Sequence, residues 1–258
     1  MQKIIKNLFI IGIIVSILSI FLTIGTYLVI KPNLPEIKYV DESELQMPLK
    51  VYTKDGYLIG EFGEIKRRAT SFDDIPKDIK NAFLSAEDDN FFNHQGISYA
   101  GLIRSFVRCV GPSGCQGGGG TITMQVVRGY LLTPEQTIVR KIKEIFLALE
   151  LEGKVEKEEI FELYVNRIFL GNRSYGIEAA ANTYFNKNLS ELSISESATI
   201  AAIAQLPSRI NPVKNLRRTL QRRDWILSRM FLLDHISEKE YLEAISDDIE
   251  IAKNINLY

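Results

Sequence analysis

The sequence predicts a mainly helical protein with a short β-hairpin early in the chain and, at its N-terminus, one apolar helix long enough to cross a membrane. Three observations support this. Residues Leu8 to Ile30 contain no charged side chain. The turn Lys54-Asp55-Gly56 lies between two short apolar runs. From Ile75 onward, apolar residues recur at the spacing that gathers them on one face of an α-helix.

A hydrocarbon core of about 30 Å needs about 20 helical residues, so the run from Leu8 to Ile30 suffices. Ser16, Ser19 and Thr23 can return their hydroxyls to the helix backbone. Lys3 and Lys6 precede the run, whereas Glu36, Asp41, Glu42 and Glu44 follow it together with Lys31 and Lys38. This asymmetry makes residues 1–7 a cytoplasmic tail, 8–30 a single-pass anchor, and places the rest outside. The alternative is a cleaved signal peptide, but the run is longer than a usual signal core and ends Tyr27-Leu28-Val29-Ile30-Lys31-Pro32 without an Ala-x-Ala site. Pro32 and Pro35 stiffen the exit, and residues 31–48 read as a stalk.

Residues 49–235 then read as one domain, with 236–258 a helical extension. Leu49, Val51 and Tyr52 before the turn, and Tyr57, Leu58 and Ile59 after it, form the expected hairpin. Ile75-Pro76 opens a helix whose stripe is Ile79, Ala82, Phe83 and Ala86. Further helices are expected over Thr137–Glu152, Lys157–Phe169, Ile177–Phe185, Ser195–Leu206, Leu216–Leu233 and Glu238–Ile245. Ile138, Ile142, Ile145 and Leu149 are the expected buried stripe of the first of these.

With 46% hydrophobic and 24% charged residues the chain of 258 has the composition of a folded protein. A formal net charge of −1 gives no global basic field, so no nucleic-acid partner is expected and an anionic ligand needs a local cluster. Cys109 and Cys115 are two thiols across a turn, bridged or reduced. No cysteines and histidines stand at zinc-ligand spacing, so no protein metal site is expected.

Chemistry concentrates in three places. Glu87-Asp88-Asp89 ends a helix, followed by His94 and Gly96; crowded carboxylates there raise a pKa toward a general base's working range, though a solvated acidic end looks the same. Gly117 to Gly120 run into Thr121, Gln125 and Arg128, offering free N–H groups to a phosphate or simply a linker. Arg140, Lys141 and Glu144 lie within one turn, either a cation pair steadied by a carboxylate or an ordinary surface ion pair.

Together and in this order these segments resemble the transglycosylase domain of glycosyltransferase family 51, found in class A penicillin-binding proteins and monofunctional peptidoglycan glycosyltransferases. The family pattern Glu-Asp-x-x-Phe-x-x-His-x-Gly appears as Glu87 to Gly96, the Gly-Gly-Ser-Thr-Ile-Thr-Gln-Gln pattern as Gly118 to Gln125, and Arg-Lys-x-x-Glu-x-x-x-Ala as Arg140 to Ala148. Tyr164-Val165-Asn166 through Tyr184-Phe185-Asn186-Lys187, and Leu192 to Pro212, resemble the remaining blocks. Gly120 stands where the family has Ser, Met124 where it has Gln, and Asn186 where it has Gly. Asn tolerates the left-handed turn such a Gly would supply.

The resemblance implies a lysozyme-like fold that polymerises lipid II into β-1,4-linked glycan, releasing undecaprenyl pyrophosphate by inversion. Glu87 would be the general base, and Arg128, Arg140 and Lys141 would neutralise the leaving group, with Glu144 orienting them. Thr121 and Gln125 would supply hydrogen bonds, Asn166 would join the substrate contacts, and Asp88 and His94 would hold the loop. No tightly bound cofactor is implied, and a divalent ion (Mg or Mn) would come with the pyrophosphate. Expected partners are lipid II, the growing strand, the cytoplasmic membrane and other wall-synthesis proteins, the domain facing the periplasm. No Ser-x-x-Lys or Lys-Thr-Gly set occurs, so no transpeptidase site is expected in these residues. The rivals are a lytic transglycosylase or muramidase, and a non-catalytic scaffold.

Overall fold

The computed structural model describes residues 2–37, 49–55, 58–62, 70–110, 120–133 and 137–252. Most of the expected stalk, the Gly-rich loop from 111 to 119 with Cys115, and the side chain of Cys109 lie outside the described residues.

Helix α1 runs Gln2–Ile30, followed by a 3-10 turn at Lys31–Asn33. Among the described residues no helix is long and apolar enough to cross a membrane, and the spanning role expected of α1 stands on its sequence alone. Strands β1 (Leu49–Tyr52) and β2 (Leu58–Phe62) pair antiparallel, Leu49 opposite Phe62 and Tyr52 opposite Leu58.

The domain is built on α8 (Ile194–Gln205), whose residues from Ser195 to Ile203 are all buried. A helix apolar or small on every side belongs in the interior, and its alanines let neighbours approach closely. Its start is fixed by a capping box in which Ser193 accepts from the Glu196 N–H and Glu196 accepts from the Ser193 N–H. Against α8 pack α2 (Lys77–Glu87), α7 (Ile177–Phe185), α9 (Leu216–Leu232) and α10 (Glu238–Ser246). α2 buries Ile79, Ala82 and Phe83, three of its four expected stripe residues. α7 ends as the sequence implies, with Asn186 left-handed at φ 53°.

A second group packs α4 (Ile122–Leu131) on α5 (Ile138–Glu152) and α6 (Lys157–Arg167). Here the expected stripe is corrected. α5 buries Glu144, Leu147, Ala148 and Leu151, while Ile138 is 82% exposed and Leu149 also faces out. The helix presents its carboxylate side to α4; Val139 instead lines a groove with Phe21, Gly25 and Val29 of α1, and Tyr27 meets Phe146 with ring centroids 5.1 Å apart. α6 stops two residues short of expectation because Ile168 turns extended and Phe169 pairs with Tyr175 in an isolated bridge.

Helix α3 (Tyr99–Val110) was not among the expected elements. Ser98 starts it, its hydroxyl accepting from the Gly101 N–H at 3.1 Å, and Tyr99, Ile103 and Val107 form an exposed apolar stripe.

Candidate active site

The two helical groups meet where α2 ends. Burial of Phe83 and Ala82 fixes the helix roll, and this leaves Glu87 at the seam toward α4 and α9. Its carboxylate is partly buried and accepts a 2.9 Å hydrogen bond from Gln125 Nε2. Burial raises the Glu87 pKa above the ordinary carboxylate value; the Gln125 hydrogen bond, Arg222 and Arg128 draw it back, and Asp88 pushes it up. A carboxylate so placed can take a proton closer to neutral pH than a solvated one.

Asp88 does not face the same space. It is buried, and its Oδ2 lies 2.9 Å from His94 Nε2 and accepts from the Ile122 N–H at 3.0 Å. It therefore satisfies the first free amide of α4 and adds negative charge where that helix's dipole favours it. Thr121 completes the joint: its hydroxyl accepts from the Met124 N–H at 3.1 Å and donates to the Gly96 carbonyl at 2.6 Å. Gly96 has φ 80°, and a Cβ there would fall 2.7 Å from the Ala148 carbonyl oxygen, so only glycine lets this loop lie against α5.

Glu144, fully buried, holds the cations of α5. Lys141 Nζ donates to it at 3.0 Å and Arg140 Nε stands 3.4 Å from its other oxygen. Gly120 adjoins this cluster, since a Cβ there would lie 3.7 Å from Lys141 Nζ, within ordinary contact. Arg140, Lys141 and Glu144 thus sit beside the entry to α4, where the glycine loop arrives.

Arg128 is exposed on α4 and contributes a field at Glu87. Asn166 is spent elsewhere: its Oδ1 accepts from the Thr70 N–H and its Nδ2 donates to the Thr70 carbonyl, both at 2.9 Å. That bidentate clamp pins a segment 96 positions away and turns the amide toward the Thr70 backbone. Thr121 is likewise committed to the joint.

Two residues that sequence reasoning passed over belong here. Arg222 of α9 donates to the Ala86 carbonyl at 3.4 Å, has its guanidinium carbon 3.9 Å from the Trp225 ring centroid, and is close enough for its charge and that of Glu87 to act on each other. Its neighbour Arg223 is buried on Ser195, Ile245 and Asp247 as a structural tie, so the adjacent arginines have opposite duties. Tyr164 is buried with no hydrogen-bond partner for its hydroxyl among the described residues, and burial together with the Glu87 charge holds it protonated.

The site thus gathers a partly buried carboxylate, Glu87, within reach of the charges of Arg222 and Arg128, in a helical domain that also holds Arg140 and Lys141 on a buried Glu144. The chain belongs to the transglycosylase family, whose model matches residues 55–231. It is similar to penicillin-binding protein 1A of Pseudomonas aeruginosa, 48% identical over 231 residues that cover 90% of this chain and 28% of that protein. Penicillin-binding protein 1A of Haemophilus influenzae is 46% identical over 208 residues (81% and 24%), and that of Escherichia coli 37% over 248 (96% and 29%). The chain therefore spans under a third of the length of these relatives. A crystal structure of penicillin-binding protein 1A from Haemophilus influenzae matches with a TM-score of 0.49 at 33% identity, covering 81% of this chain and 22% of that one.

Proposed function

We propose that the chain is a peptidoglycan glycosyltransferase that joins lipid-linked disaccharides into β-1,4 glycan. Glu87 takes the proton from the 4-hydroxyl of the incoming sugar. That oxygen attacks the anomeric carbon of the growing strand, the bond to pyrophosphate breaks, and undecaprenyl pyrophosphate leaves with its electron pair. A single displacement inverts the centre and needs one base and no enzyme nucleophile. The observation that carries this is the Glu87 carboxylate, raised by burial, oriented by Gln125 and facing the charges of Arg222 and Arg128.

Arg140 and Lys141, steadied by Glu144, answer the charge developing on the pyrophosphate. Asp88 and His94 hold the base's loop rather than touch substrate. The nearby carboxylates of Asp88 and Glu144 are already engaged, so the residues present do not make a metal cage; a divalent ion would arrive on the pyrophosphate, and no step depends on it. Helix α1 anchors the domain on the outer side of the cytoplasmic membrane, close to substrates that carry polyprenyl tails.

The test is product analysis with the full chain in detergent. Labelled lipid II is expected to become long strands, with no cleavage of purified sacculi. Sacculus digestion without polymer would make it a hydrolase; neither activity from folded protein would make it a scaffold.

A further inference from the structure

The groove between α1 and α5 has no part in the displacement proposed above. Its volume is about 850 Å³, within the range of about 300–1,000 Å³ typical of sites for small molecules. Phe21, Gly25 and Val29 stand four residues apart on one face of α1 and form one wall; Val139 and Lys143 of α5 form the other. The Tyr27–Phe146 contact joins the two helices.

Three features define what this space accepts. Its walls are apolar and bare, with Phe21, Val29 and Val139 all more than half exposed. Its middle is open, because a Cβ on Gly25 would meet no atom within 4 Å. Its charge is a single cation. The ion pairs of α5 join Glu144 to Arg140 and Lys141, and Glu150 to Lys154, whereas Lys143 has no carboxylate partner among the described residues.

Length selects among apolar occupants. From Phe21 to Val29 the wall runs for about 12 Å at the helical rise, close to half of a hydrocarbon core of about 30 Å. These residues close the uncharged run that ends at Ile30, so they belong to its outer half. A partner helix that crosses the membrane needs a wall over the whole core, whereas one acyl chain needs a wall over one leaflet. An unpaired ammonium beside that chain suits a lipid phosphate, which its flexible stem can reach. We infer that the groove binds one anionic phospholipid of the outer leaflet, its acyl chain between Phe21, Val29 and Val139 over Gly25, its phosphate on Lys143. This rests on the reading of α1 as a membrane anchor. The lipid fills the seam between that anchor and the helix that carries Arg140 and Lys141.

The test is photolabelling of the full chain in phosphatidylcholine vesicles by a trace of phosphatidylglycerol with a diazirine on its acyl chain, compared with the same probe built on phosphatidylcholine. Lipid touches any anchor at random, so the deciding readout is label on the α5 peptide that contains Val139. The phosphatidylglycerol probe should label it about fivefold more than the phosphatidylcholine probe, the preference one lysine confers. Gly25→Phe fills the groove and should cut that label about tenfold. Lys143→Gln should abolish the preference between probes and Lys143→Arg should keep it. Unchanged melting temperatures establish folding; if Gly25→Phe is unfolded, the two Lys143 variants decide alone. An unlabelled α5, full label in Gly25→Phe, or a preference that survives Lys143→Gln overturns the site. Displacement of the label by undecaprenyl phosphate but not by unlabelled phosphatidylglycerol overturns the phospholipid and gives the groove to a polyprenyl chain. A chain that floats with the vesicles while α5 stays unlabelled refutes the groove only. A chain that does not float refutes the anchor, and the groove with it.

Discussion

Replacing Asp88 tests whether one buried carboxylate joins the base's loop to the substrate-facing helix. In Asp88→Ala, the Ile122 N–H and His94 Nε2 lose their acceptor, at 3.0 and 2.9 Å respectively. Each buried donor left unsatisfied costs about 1–3 kcal/mol, and loss of the anion from the start of α4 costs about 0.3–1 more. His94 can find water by turning, so we take the lower half of that range, about 3 kcal/mol in total. With a urea dependence of about 2 kcal/mol per molar, the unfolding midpoint falls by about 1.5 M, and the domain still folds if its stability lies in the usual range of about 5–15 kcal/mol. Asp88→Asn keeps one acceptor oxygen without the charge, and should fall between the two. Urea unfolding followed by circular dichroism measures this. An Asp88→Ala midpoint within about 0.2 M of wild type would show that the joint holds nothing, and the reasoning fails.

Gly96→Ala places a Cβ 2.7 Å from the Ala148 oxygen and 2.9 Å from its carbon at φ 80°. The left-handed conformation costs about 1 kcal/mol and the backbone overlap about 1–3, so calorimetry should show a loss of about 2–4 kcal/mol. Glu87 has a folded pKa above its unfolded value of 4.5, so folding binds a proton between those two pH values and stability falls as pH rises through that window. Glu87→Gln should therefore be more stable than wild type at pH 7, by about 1.4 kcal/mol per pKa unit of elevation, and the gain should vanish below the unfolded pKa; equal melting temperatures at every pH would remove the elevated base. Arg222→Gln removes a charge that draws the Glu87 pKa down, so the acidic limb of the pH–rate profile should move to higher pH, and a fixed limb would separate Arg222 from the base.

What could be read from the sequence was local. The α2 stripe, the left-handed Asn186 and the grouping of Arg140, Lys141 and Glu144 each depend on residues within a turn or two, and the structure has them. What could not be read depends on distant partners. Asn166 pairs with Thr70, and Arg222 reaches Ala86 across 136 positions, so no spacing announces either role. The α5 stripe misled because Ile138 and Leu149 are exposed, while the Glu144 carboxylate takes the buried side. Only α3 was open to discovery, since Ser98 and the Tyr99, Ile103, Val107 spacing are a helix signature once sought.

The central claim is that Glu87 is the base. Its most direct test is the rate of lipid II consumption by Glu87→Gln, measured beside wild type at the same protein and detergent concentrations. Gln preserves shape and the Gln125 contact but cannot accept the proton, so the rate should drop about 10²–10⁴-fold with folding intact. A folded Glu87→Gln that consumes lipid II at the wild-type rate would contradict the account.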